Sequence, residues 1–368
     1  MALAARRAVP CVALAAGLLG GADAARAGGA AAGLPDGTIL GQARCDWPDD
    51  TYRQYLERAV ATYREDAEAA KRARLGIRPQ SELAGVLLAE PDWRGRRLYR
   101  DYVCERLVYA SDGLQVIAYL WRPARVEGRT LPLIVFNRGG VGEQSRLRPN
   151  TQFGFWRFVQ ADYVVLATQY RGNDGGEGRE SFGDGDVRDV LNLFPLAERL
   201  GYVDVTNVFM LGYSRGAMVT ALAVRRGAPV NAVATVGGLF DLVAAAAERP
   251  QLRELVAGAP VDPARVEAAL RERSAVYWPE QIGVPMLLLH GGADGVARAA
   301  TQSLAFAQRL AERRAPYQLV IYDGDTHGLT FSAQDRDLRI LDFFARWRRA
   351  PEPAGPAPAG PATGAATP

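Results

Sequence analysis

The chain has 368 residues, a hydrophobic fraction of 48% and a formal net charge of +3, an ordinary globular composition with room for one large α/β domain or two modest ones. Its 44 basic residues, of which Lys71 is the only lysine, are scattered among 41 acids, so the basic stripe of a nucleic-acid surface is missing. Two histidines and three cysteines without a CxxC spacing argue against a zinc site, and no cofactor or metal is called for.

At the N-terminus, Arg6 and Arg7 precede a short apolar core, "VPCVALAAGLLG", and Ala25-Arg26-Ala27 offers an A-x-A cleavage site. This is the layout of an export leader over residues 1–27. Its apolar core is too short to span a bilayer, and no later stretch reaches that length, so the expected protein is exported, periplasmic or secreted, with no membrane span. Cys11 lies within the leader and lacks a lipidation pattern. Cys45 and Cys104 remain, and in an oxidising compartment they either pair or stay as buried thiols.

Gly28 to Gly41 is Gly/Ala-rich and reads as loose. From Asp49 to about Arg74, Tyr52, Tyr55, Leu56, Val60 and Tyr63 recur at helical steps, after Pro48 and the cap-competent Asp49 and Asp50. A packing helix is expected there. "DYVCERLVYASDGLQVIAYLWRPA" predicts a hairpin turning at Ser111-Asp112-Gly113.

From residue 131 the pattern changes to short apolar runs separated by helical stretches. The runs are Leu131–Phe136, Tyr163–Ala167, Val208–Leu211, Ala232–Val236, Pro285–Leu289 and Gln318–Tyr322; the helical stretches are Val187–Leu200, Arg215–Arg226, Ala299–Arg314 and Ala333–Arg349. Strands buried on both faces read this way, and alternation with helices implies a mostly parallel sheet covered on both sides. Residues 241–280 interrupt the rhythm with helical segments that suit a small cap. From Pro351 the chain is Pro/Ala/Gly-rich and is expected to be disordered.

Gly212-Tyr213-Ser214-Arg215-Gly216 matches G-x-S-x-G between an apolar run and a helical stretch, the setting in which a serine is held exposed on a strained turn. A serine nucleophile needs a base, and the base an orienting acid. His327 follows the last apolar run, in "IYDGDTHGLTF". Asp294 follows the run that ends at His290, in "VPMLLLHGGADG". Ser214, Asp294, His327 is the Ser…Asp…His chain order of the α/β-hydrolase fold. His290 reads as a structural histidine bonded to the acid loop. Asp323 and Asp325, rivals to Asp294, read as turn formers beside His327.

An oxyanion needs backbone donors. The Arg215 N–H follows the nucleophile, and Asn137-Arg138-Gly139-Gly140 follows an earlier apolar run, with the Gly140 N–H as first candidate and Gly139 as second. Arg138 and Arg215 would flank the pocket, as attractors of a substrate carboxylate or as ion-paired scaffolding. Phe153, Phe155 and Trp156 line an apolar pocket or belong to the core.

Together "FNRGG", "QYRGNDGGEG", "GYSRG", "HGGAD" and "GDTHG" resemble the prolyl oligopeptidase-like group of α/β-hydrolases, which includes dipeptidyl aminopeptidases and acylaminoacyl peptidases. The resemblance covers about residues 100–350. It implies the triad Ser214, Asp294 and His327, an oxyanion hole from the Gly140 and Arg215 amides, and a bracing role for Tyr170-Arg171-Gly172. That family commonly has histidine where Arg138 stands, and its selective oligopeptidases carry an N-terminal β-propeller, for which residues 28–99 are too few. The expectation is therefore a leader (1–27), a helical extension (28–99), an α/β-hydrolase catalytic domain (100–350) and a disordered tail (351–368). Its activity would be a serine hydrolase acting on a small-molecule or short-peptide amide or ester through an acyl-enzyme, with a carboxylesterase as the alternative and a non-catalytic binding protein of the same fold as a third reading.

Overall fold

Along Leu131–Asn137, Val164–Thr168, Ala232–Val236 and Met286–Gly291 every residue is buried, yet successive residues of the inner strands serve two different cores. Leu133, Val135, Leu166, Met210, Val233 and Leu288 point to one layer, whereas Ile134, Phe136, Val165, Leu211, Ala234 and Leu289 point to the other. That is the period-two geometry of a sheet covered on both faces, and it is why the runs are continuously apolar. The computed structural model describes residues 31–45, 51–87, 89–90, 93, 101–148, 154–258 and 261–350. The expected leader, the Pro/Ala tail, Asp49, Asp50 and Phe153 lie outside these residues.

Nine strands form one sheet in the order β1-β2-β3-β5-β4-β6-β7-β8-β9. They are β1 (Ile39–Arg44), β2 (Tyr102–Ser111), β3 (Leu114–Pro123), β4 (Leu131–Asn137), β5 (Val164–Thr168), β6 (Val203–Tyr213), β7 (Ala232–Val236), β8 (Met286–Gly291) and β9 (Tyr317–Tyr322). The β1–β2, β2–β3 and β3–β5 ladders are antiparallel, and from β5 through β4 to β9 all are parallel. This is the mostly parallel α/β-hydrolase architecture expected from sequence. The hairpin turns on Asp112 and Gly113, both at positive φ (52° and 75°), as a two-residue turn compatible with strand twist requires.

The α-helices among the described residues are α1 (Tyr52–Arg72), α2 (Trp156–Gln160), α3 (Gly185–Leu191), α4 (Leu193–Arg199), α5 (Arg215–Arg225), α6 (Leu242–Glu248), α7 (Gln251–Gly258), α8 (Val266–Glu272), α9 (Ser303–Glu312) and α10 (Ala333–Arg346), beside short 3-10 turns. The stretch read as one helix over 187–200 is two, meeting at Asn192. Residues 241–280 hold α6, α7 and α8, as the interrupted rhythm implied.

Two expectations about the N-terminal extension are corrected. Part of the segment read as loose forms β1, an edge strand whose residues are only partly covered, so its side chains lack the apolar alternation of an inner strand. Helix α1 is capped by Thr51, which forms a reciprocal capping box with Gln54. Cys45 and Cys104 form a disulfide with Cα atoms 5.4 Å apart, fastening the end of β1 to β2 beside the Cys45 N–H to Cys104 C=O bond of 3.0 Å.

Candidate active site

Parallel strands all deliver their carboxyl ends to one rim of the sheet, where α/β folds place ligands. Ser214 follows β6, Asp294 follows β8, His327 follows β9, and Gly139-Gly140 follows β4. Four segments far apart in sequence thus meet because the topology leaves them on one edge.

Ser214 is half-buried and sits at φ 54°, ψ −122° between β6 and α5, a backbone region costly for a residue with a side chain. The flanking glycines permit it. A Cβ on Gly216 would collide with the Asn137 carbonyl. On Gly212 it would lie 2.6 Å from both the Gly216 oxygen and Thr220 Oγ1. The Ser214 N–H is bonded to the Val236 carbonyl at 2.9 Å, which pins the turn to β7.

The acid and the imidazole are joined directly: His327 Nδ1–H donates to Asp294 Oδ2 at 2.7 Å. Asp294 is 1% exposed, and its other oxygen accepts the N–H groups of Val296 (2.9 Å) and Ala297 (2.8 Å). His290 Nε2 lies 3.0 Å from Asp294 Oδ2 and 2.5 Å from the Ala297 carbonyl. A carbonyl only accepts, so Nε2 carries the hydrogen and His290 Nδ1 accepts from Ser303 Oγ–H at 2.7 Å. His290 is thereby the structural histidine of the acid loop. Burial works to raise the Asp294 carboxyl, but the charge of His327 and the bonds from both histidines hold it well below the usual carboxylate range. Burial pulls His327 down, while the Asp294 charge and hydrogen bond, with the Asp66 charge, lift it above its ordinary 6.5. The pair is therefore built to keep the acid ionised and the imidazole basic.

His327 lies against Gly237, one residue beyond the carbonyl that holds the Ser214 amide. A Cβ on Gly237 would lie 2.9 Å from His327 Nδ1 and 3.1 Å from Cε1. No direct hydrogen bond joins Ser214 Oγ to His327 in this structure, a contact that often tightens only when substrate binds. The His327 loop is held from below by Asp325, a fully buried carboxylate that accepts the N–H groups of Thr326 (2.8 Å), Phe331 (3.2 Å) and Ser332 (2.8 Å). Asp325 is spent on the turn.

Gly139 passes close to the nucleophile, since a Cβ there would lie 2.9 Å from Ser214 Cβ. Among the described residues neither the Gly139 nor the Gly140 N–H meets an acceptor. The Arg215 N–H opens α5 and has no preceding helical carbonyl to bond.

Arg138 does not line the pocket as a substrate-binding residue. Its side chain is 2% exposed, and its guanidinium is bonded to the carbonyls of Gln169 (2.8 Å), Gly139 (3.2 Å) and Ser145 (3.3 Å). Arg215 is equally enclosed: it ion-pairs with Asp186 at 2.7 Å and with Glu180, and donates to the Gly140 carbonyl at 2.7 Å. Both guanidinium carbons lie 4.9 Å from the centre of the Tyr170 ring, whose hydroxyl donates to the Arg138 carbonyl. The neighbouring Arg171 forks onto Asp189 (2.7 and 3.1 Å). Scaffolding is thus the role of both arginines and of the Tyr170-Arg171-Gly172 segment. Phe155 is core, tilted against Trp121 and edge-on to Phe136.

Sequence reasoning missed Glu180 and Asp186, the partners of Arg215, because they lie in a Gly-rich charged stretch without periodicity. It also missed Asp66 and Arg249, whose charges bear on His327.

Residues 150–350 match a model of the prolyl oligopeptidase family. Over 247 residues the chain is 28% identical to the uncharacterized peptidase YtmA of Bacillus subtilis (strain 168), covering 66% of this chain and 92% of that one. Among solved structures it is similar to a puromycin-hydrolyzing peptidase of Mycobacterium tuberculosis, with 25% identity and a TM-score of 0.56, over 64% of this chain and 38% of that one. The acylaminoacyl peptidase of Pyrococcus horikoshii shares the fold, with 19% identity and a TM-score of 0.59, over 71% of this chain and 44% of that one. The chain thus matches less than half the length of either solved structure.

Proposed function

This chain belongs to the prolyl oligopeptidase family of serine hydrolases, and we propose on that footing that Ser214, His327 and Asp294 are its catalytic triad and that it cleaves an amide bond in a short peptide. Ser214 Oγ attacks the scissile carbonyl while His327 Nε2 takes its proton. The tetrahedral oxyanion is held by the Arg215 and Gly140 N–H groups. His327 then protonates the leaving amine, and the carbon–nitrogen bond breaks to leave an acyl-enzyme. Water, deprotonated by His327, attacks the ester; its proton returns to Ser214 as the acid is released.

The observation that carries this reading is the combination at one sheet edge of a serine at φ 54° with an imidazole 2.7 Å from a buried carboxylate. The similarity to the YtmA peptidase and to the puromycin-hydrolyzing peptidase favours a peptide over an ester substrate. We also propose that the protein is exported after removal of residues 1–27; the Cys45–Cys104 disulfide supports this, because such bonds persist in oxidising compartments.

A carboxylesterase on the same frame is the alternative. Turnover of aminoacyl and dipeptidyl amides measured beside p-nitrophenyl acyl esters separates the two. The peptidase reading expects specific amide cleavage lost in Ser214→Ala, and ester turnover without any amide cleavage would replace it.

A further inference from the structure

At the far end of α5 from Ser214, about 15 Å along the helix, an open cavity of about 610 Å³ lies between the last turns of α5 and α8. None of the triad residues lines it. Its volume falls within the range of small-molecule sites, about 300–1,000 Å³.

Four arginines line this cavity: Arg225 and Arg226 at the end of α5, Arg265 before α8, and Arg273 after it. Two of them have carboxylate partners, Arg226 with Asp184 at 3.0 Å and Arg265 with Glu272 at 3.2 Å. The third acid of the lining, Asp262, accepts the Ala264 N–H at 2.9 Å. Among the described residues Arg225 and Arg273 have no carboxylate at ion-pair distance. Both are nevertheless held in place. Arg225 donates to Gln281 Oε1 at 2.6 Å and to the Glu272 carbonyl at 3.0 Å, and its guanidinium carbon lies 4.7 Å from the centre of the Trp278 ring. Arg273, 9% exposed, donates to the carbonyls of Phe182 (2.9 Å) and Ala269 (3.0 Å).

These bonds leave most of the N–H groups of each guanidinium unused. Carbonyl and amide acceptors also bring no net charge to balance the two cations. Burial accordingly pulls Arg273 below its ordinary value, although the charges of Asp184 and Glu272 act to raise it. A fixed guanidinium fork without a counter-ion suits a carboxylate or a phosphate. Leu222, Val261 and Ala269 add apolar lining, which gives a carbon skeleton a surface to cover.

We propose that this cavity is a binding site for a small organic anion, a carboxylate or phosphate on an apolar body, gripped by Arg225 and Arg273. The site is separate from the triad, and the proposal is independent of which bond the triad cuts.

The Trp278 indole N–H donates at 3.1 Å to the same Glu272 carbonyl that Arg225 holds, so its NMR resonance reports on the site. The test is titration of isotope-labelled full-length protein, with that resonance assigned by its loss in Trp278→Phe and ionic strength held constant with chloride. Phenyl phosphate or benzoate should move the resonance to saturation, and the tighter of the two identifies the head group. The matching anion without a ring, inorganic phosphate or acetate, should bind about tenfold more weakly, and neutral benzyl alcohol should leave the resonance in place. Arg225→Gln should weaken binding about tenfold or more, since bonds from a charged donor are lost, and Arg225→Lys should weaken it less. Arg273→Gln should act in the same direction; Arg225 is exposed, so its variants decide the matter even where Arg273→Gln does not fold. Absence of a saturable shift with either ring anion, an equal shift with benzyl alcohol, ring-free anions that bind as tightly, or an affinity unchanged by Arg225→Gln overturns the proposal.

Discussion

Replacing Arg215 by methionine removes the central member of a buried ionic cluster. Its side chain is 2% exposed, that of Asp186 is fully buried, and that of Glu180 is 12% exposed. Methionine fills much of the volume but leaves Asp186 without its cation and Glu180 with only Arg138, at 3.6 Å. Breaking a buried pair by removing one partner costs about 3–5 kcal/mol. At a urea slope of about 2–3 kcal/mol/M, the unfolding midpoint should fall by roughly 1–2.5 M. The same guanidinium holds the Gly140 carbonyl at 2.7 Å, so the loop offered as an oxyanion donor loses its brace, and kcat on uncharged substrates should fall as well. Adding Asp186→Asn and Glu180→Gln removes the orphaned charges and should recover much of the stability. Urea denaturation followed by fluorescence, with kcat and KM on a neutral substrate, measures both effects. The scaffold reasoning is refuted if Arg215→Met keeps its midpoint within about 0.2 M and loses only affinity for anionic substrates.

Other consequences follow from the same geometry. Neutral His327 is the working form and its acid form is stabilised by Asp294, so kcat/KM should fall as pH drops through a value above 6.5. Asp294→Asn leaves burial as the dominant influence and should move that limb below 6.5, with kcat down by about 10⁴-fold, as for the same change in a chymotrypsin-type triad; a limb that stays in place would detach Asp294 from the base. The Cys45–Cys104 bond spans 59 residues, so its loss in a double serine variant should lower stability by about 4 kcal/mol, read by chemical denaturation. An unchanged midpoint, or free thiols in the native protein, would contradict the fastening of β1.

The inner sheet was legible because burial on both faces demands uninterrupted apolar strands, as in Leu131–Asn137 and Met286–Gly291. The candidate triad was legible because each member follows such a strand. The edge strand Ile39–Arg44 was not, since half-exposed edges carry polar residues that resemble a loop. The fate of Arg138 and Arg215 was hidden for another reason: a charged side chain beside a nucleophile looks the same in sequence whether its partners are substrates or, as here, Asp186, Glu180 and backbone carbonyls.

Labelling by a fluorophosphonate, with the adduct located by peptide mass spectrometry, tests the central claim most directly. The arrangement of Ser214, His327 and Asp294 predicts a single adduct on Ser214, absent in Ser214→Ala and strongly slowed in His327→Ala. A folded wild-type protein that resists the probe, or a Ser214→Ala variant that still takes it up, would contradict the account.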